Sequence, residues 1–92
     1  MTLADWAATM AAILTTVSFL PQAIHVLKTR DTGAISLLMY VLFTTGVGFW
    51  EVYGWLVGQP AIIIANLITF VLAGAILFLK VRDVMGRSAP SA

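Results

Sequence analysis

The chain has 92 residues, 61% hydrophobic and only 10% charged, with a mean hydropathy of +1.01, which excludes a small core wrapped in a polar shell and defines a membrane protein. A formal net charge of +1, from five Lys and Arg against four Asp and Glu, leaves no footprint for a nucleic acid backbone. The absence of cysteine removes disulfides, thiolate metal sites and cysteine nucleophiles, and one histidine alone cannot hold a metal, so neither metal nor cofactor is expected.

The first apolar run, residues 6–27, carries no formal charge and is 22 residues long, enough to span a bilayer. Pro21, Gln22 and His25 interrupt it softly, and Lys28 to Gly33 stop it. It lacks the basic start of a signal peptide, since Asp5 is the one charge ahead of it, so it is read as a retained span. The second run, residues 34–57, holds a single charge at Glu51 and ends in the turn Gly58-Gln59-Pro60. The third, residues 61–79, is interrupted by Asn66 and stops at Lys80-Val81-Arg82-Asp83.

Irregular backbone in hydrocarbon would leave amides unpaired, so all three runs are expected to be helices. The predicted organisation is an all-α, three-helix transmembrane domain over residues 1–80 and a short tail, 81–92. From Met85 onward that tail is rich in Ser, Ala, Gly and Pro, a composition that predicts disorder. Lys28 and Arg30 lie in the first connection, and Lys80, Arg82 and Arg87 follow the third span, while the other two ends have no basic residue. That bias orients the chain in the cell's inner membrane with its amino terminus outside and its carboxyl terminus in the cytosol.

Each span has one face unlike lipid. Thr15, Ser18, Gln22 and His25 are spaced three, four and three residues apart, which gathers them within about a quarter of the helix circumference. Met39, Phe43, Gly46, Trp50, Tyr53 and Val57 repeat the pattern on the second helix, and Asn66, Thr69 and Ala73 on the third. Small and hydroxylated residues also serve as glue between membrane helices, and for any single Ser or Thr that packing role is the plainer reading. Trp50 and Asn66 ask for more, because a large aromatic and an amide at mid-depth need a partner or a cavity. Counting at ~1.5 Å per residue from Gln59 sets Trp50 about 13 Å and Asn66 about 10 Å into the bilayer, so the two can share one level.

An indole plane and a carboxamide at one depth suit a sugar: the C–H face of a pyranose lies on the ring, while the amide offers both donors and acceptors to hydroxyls. A charged solute would lack counter-ions there, apart from Glu51. Three close-packed helices leave no lumen of their own, so the chain is expected to assemble as a parallel homodimer of six helices with its polar faces on the twofold axis. No enzyme is expected, because Asp5, Asp31, Glu51 and Asp83 lie at different depths and no nucleophile has an adjacent base.

The ordered set of Thr15 to Gln22 in the first helix, Thr29 to Ser36 in the following connection, Trp50-Glu51-Val52-Tyr53-Gly54 in the second helix and Ala65-Asn66 in the third resembles the bacterial SemiSWEET family. These are the half-size, three-helix members of the PQ-loop (SWEET and MtN3) superfamily, and the likeness runs from about residue 6 to residue 80. The resemblance implies a homodimeric facilitator that moves mono- or disaccharides by alternating access and holds substrate between Trp50 and Asn66. It also implies that Pro21 is a hinge and that Tyr53 helps close the outer entrance. Some relatives add a charged pair at that entrance, where this chain has Val57 and Gln59.

Proline chemistry adds a physical basis for the hinge, since Pro21 has no amide hydrogen and its ring crowds the Val17 carbonyl. Gln22 is assigned to satisfying the freed backbone groups. Met39 and Phe43 either pinch an inner constriction with their dimer mates or pack as core. Glu51 sits ~100° from Trp50 on a face shared with Tyr40 and Thr44, and three roles stay open for it: proton coupling, a hydrogen bond within the dimer, or snorkelling to headgroups. His25 is read as part of the cytosolic interface. Two competing functions remain, a proton-coupled amino-acid transporter of the PQ-loop type and a helper subunit docked on a larger membrane complex. Membrane lipid and a small sugar are the expected partners.

Overall fold

The computed structural model describes residues 2–88 and contains three helices, the first two of which begin and end where their terminal backbone groups find partners. Helix α1 (Leu3–Thr29) starts ahead of the apolar run because Thr2 and Asp5 form a reciprocal cap. The Asp5 N–H donates to Thr2 Oγ1 at 3.1 Å and the Thr2 N–H to Asp5 Oδ2 at 2.9 Å. Arg30 closes the helix in the left-handed region, at φ 57°, and returns its N–H to the Val26 carbonyl at 2.8 Å.

Helix α2 (Leu37–Val57) begins later than the hydropathy suggests. Ala34 and Ile35 belong to the connection, and Ser36 Oγ sets the start by accepting the Met39 N–H at 3.2 Å. Gly58, at φ 67°, ends α2 in a conformation that costs glycine little. Pro60 then opens α3 at a first-turn position, where a missing N–H loses no bond.

Helix α3 (Pro60–Ser88) runs well past residue 79, the end expected from its apolar run. Two of its first charged residues, Lys80 and Asp83, are ties rather than a stop signal. Lys80 is 6% exposed and donates from Nζ to the Thr32 carbonyl at 3.0 Å. One turn further, the Asp83 carboxylate accepts a hydrogen bond from the Thr32 hydroxyl. The expected tail is thus helical as far as Ser88, and residues 89–92 lie outside the described residues.

The three helices do not close into a mutually packed triangle. Helix α3 occupies the middle and packs against both others, whereas no Cα of α1 comes within 8 Å of one in α2. Consecutive helices are usually neighbours; here the third is inserted between the first two. The expectation of three mutually packed helices with no space between them is corrected accordingly. Ala23 and Val26 of α1, Tyr40 of α2, and Ala73 and Ile76 of α3 form the buried core, gathered toward the end that carries the α1–α2 loop. At the opposite end α2 and α3 remain tight: a Cβ on Gly54 would meet Ile62 Cγ2 at 2.9 Å.

Candidate functional site

Between α1 and α2, with α3 as its back wall, lies a cavity of about 570 Å³. The side chains that open it are small. Ala8, Ala11, Ala12, Thr15 and Ser18 face it from α1, and Ala65, Asn66 and Thr69 from α3. Phe43, Val47 and Trp50 supply the wall on α2. Two side chains singled out from sequence, Trp50 and Asn66, therefore meet on one cavity.

Both are held in position locally. The Trp50 indole stands edge-on to the Tyr53 ring, 5.5 Å between centroids at 84°. Asn66 Nδ2 donates to the Ile62 carbonyl at 3.0 Å, which orients the amide and leaves Oδ1 and one N–H available. Three of the wall hydroxyls are spent as donors within their own helices: Thr15 bonds the Ala11 carbonyl at 2.8 Å, Ser18 that of Thr15 at 3.0 Å, and Thr69 that of Ala65 at 2.9 Å. They present acceptor lone pairs to the cavity, a surface suited to a solute rich in O–H donors.

Of the remaining predicted residues, Tyr53 lines a second cavity at the amino-terminal end of the bundle, together with Asp5, Val57 and Gln59. There Gln59 Nε2 donates to Asp5 Oδ1 at 3.0 Å and links α1 to the α2–α3 turn. Phe43 closes the opposite end of the first cavity against Phe19 of the same chain, with ring centroids 5.7 Å apart. Met39 lines neither cavity and is 52% exposed, because the Phe19–Phe43 pair ends the space before its level. Pro21 lies inside a helix that continues unbroken to Thr29. It lies between Phe19 and Gln22, which line the cavity, and two residues ahead of Ala23, where α1 enters the core.

Gln22 does not take the backbone role expected of it. Its side chain lines the cavity. Glu51 faces away from the cavity; its Oε1 accepts the Trp55 indole N–H at 2.9 Å, within the same chain. His25 is exposed and absent from the cavity wall. Phe19 was legible in the sequence, since it follows Thr15 by four residues on the same stripe, but a search for polar groups passes over it. The Asp5–Gln59 link joins residues 54 apart in sequence, and only their shared end of the bundle hints at it.

Three helices long and apolar enough to cross a membrane, walling a solute-sized cavity with a few polar groups on a mostly apolar lining, define a multi-pass membrane protein of the small transporter type. The model of the PQ loop repeat matches residues 3–63. The chain belongs to the PQ-loop family. It is 46% identical over 72 residues to the sugar transporter SemiSWEET of Bradyrhizobium diazoefficiens, covering 78% of this chain and 84% of that protein. The sugar transporter SemiSWEET of Leptospira biflexa is 46% identical over 74 residues, with 80% and 87% covered. A crystal structure of SemiSWEET in the inward-open conformation superposes with a TM-score of 0.85 at 35% identity, over 96% of this chain and 95% of that one.

Proposed function

We propose that this chain is a facilitator of small sugars that works as a parallel homodimer by alternating access, and that it performs no catalysis. One observation carries the reading: Trp50 and Asn66, from two different helices, line a single cavity with room for a sugar ring. The indole takes the C–H face of the pyranose, and Asn66 Oδ1 and its free N–H take vicinal hydroxyls. The two curated relatives described above are sugar transporters, which supports the same solute class.

Helices α1 and α2 do not meet in front of this cavity, so a second copy, related by a twofold axis along the membrane normal, encloses the solute. The basic residues of the α1–α2 loop and the far end of α3 support a cytosolic position for that end and an outside position for the amino terminus. In this frame Tyr53, beside the Asp5–Gln59 link, guards the outer entrance, and Phe43 the inner one. Met39, one turn further in, meets its dimer mate below Phe43. Pro21 is the hinge, dividing the mobile outer part of α1 from its anchored inner part. A proton-coupled solute exchange would lean on Glu51, whose position away from the cavity and bond to Trp55 weigh against it.

Counterflow of radiolabelled glucose and sucrose in proteoliposomes tests the proposal. Trp50→Ala and Asn66→Ala are each expected to reduce flux to the background of empty vesicles while leaving dimers intact in detergent. Normal flux in either variant removes that residue from the site.

A further inference from the structure

We infer that the cavity holds a second sugar subsite, formed by Gln22 with the Phe19 and Phe43 rings, which makes Gln22 a determinant of selectivity for disaccharides over monosaccharides. The inference rests on the sugar site proposed above and extends it toward the α1–α2 loop.

The first support is the state of the Gln22 side chain. It lines the cavity, and among the described residues no other group engages its carboxamide. The wall hydroxyls of Thr15, Ser18 and Thr69, by contrast, donate into their own helices. Pro21 deprives the Val17 carbonyl of its helical donor, yet Gln22 does not bond to it, so the amide is not spent on repairing the kink. A carboxamide with two N–H donors and an acceptor facing a cavity is equipped for vicinal hydroxyls.

The second support is placement. Phe43 lies two turns from Trp50 on the same face of α2, ~10 Å along the axis. Phe19 tilts against Phe43 at 44°, giving an aromatic platform at this level. Helical side chains lean toward their own amino terminus, so Gln22 reaches back along α1 toward the level of Asn66 and shortens that gap. An aromatic and a carboxamide thus occur twice along one cavity: Trp50 with Asn66, then Phe43 and Phe19 with Gln22. A single ring seated on the first pair leaves the second unused. The second ring of a disaccharide lying along the membrane normal occupies it.

The test compares glucose with maltose and sucrose on the full-length dimer, by binding in detergent and by counterflow. Gln22→Leu keeps the side-chain volume and removes every polar contact. It is expected to leave glucose affinity within about twofold and to weaken disaccharide binding about tenfold, the loss of one or two hydrogen bonds to a buried polar solute. Equal losses for glucose and the disaccharides in an intact dimer would mean a structural or hinge role and overturn the inference. So would unchanged disaccharide affinity, or a wild-type protein that binds neither disaccharide. Should Gln22→Leu fail to assemble, Gln22→Met, of equal length, is read by the same criteria. Trp50→Ala in the same series separates the two claims. Loss of all sugars in Trp50→Ala with disaccharides spared in Gln22→Leu sinks the second subsite alone, whereas full retention in Trp50→Ala sinks the sugar site on which it rests.

Discussion

The two ends of helix α1 are held in different ways. Toward the α1–α2 loop, Ala23 and Val26 are buried against Tyr40, Ala73 and Ile76. The loop that follows is fastened to α3 by a Lys80 ammonium and an Asp83 carboxylate, both bound to Thr32, itself 2% exposed. Toward its amino terminus, α1 stands off from α2 across the cavity, and a hydrogen bond from Gln59 to Asp5 ties it to the α2–α3 turn. Helices α2 and α3 stay in contact at both ends, as Gly54 against Ile62 and Ile63 requires. The difference teaches that α2 and α3 pair at both ends, whereas α1 meets the core at one end and borders the cavity at the other, where one hydrogen bond ties it. A buried charged tie backed by packed core resists opening, whereas a single part-buried hydrogen bond beside a cavity resists it less.

Breaking the anchored end should have the largest effect. Lys80→Met keeps an unbranched apolar stem but removes the ammonium from the Thr32 carbonyl, a loss of about 2 kcal/mol for a buried hydrogen bond from a charged group. The expected result is a thermal midpoint in detergent lowered by several degrees, measured by differential scanning fluorimetry. An unchanged midpoint would mean that the core alone anchors this end.

Pro21 marks the border between the two regimes, and restoring its missing N–H should sharpen the comparison. Pro21→Ala lets Val17 regain a helical hydrogen bond, which stiffens α1 without touching the cavity wall. Sugar binding should stay unchanged while the rate of counterflow falls several-fold. Equal rates would show that α1 does not bend there during transport.

The smallest effect is expected at the free end. Gln59→Ala cuts the Asp5 link but leaves the Thr2–Asp5 cap that starts α1. The thermal midpoint should not move measurably, and hydrogen exchange should quicken in the amino-terminal stretch of α1 and not around Ala23 and Val26. Faster exchange at both ends would erase the distinction drawn here.

Much of this architecture can be read without coordinates. Span number follows from hydropathy, which is a local sum over about twenty residues. The polar stripes follow from a 3.6-residue period that needs no knowledge of neighbours. Those two signals lead to Trp50 and Asn66, and both side chains line one cavity. They fail at boundaries and pairings. The charged residues after the third span look like a stop because hydropathy cannot tell a buried, bonded Lys80 from a solvated one. The start of α2 is set by a Ser36 cap, not by where the apolar run begins.

What the amino-acid order determined by itself is therefore a three-helix membrane chain with a tryptophan and an asparagine at matching depth, because helix period and chain rise are properties of the local backbone. Tertiary structure alone decided that α3 lies between α1 and α2, that Phe19 meets Phe43, and that Thr32 joins the far end of α3. Those outcomes depend on which surfaces fit side by side across 24 to 51 residues of sequence, and a period of 3.6 contains no information about a partner that distant.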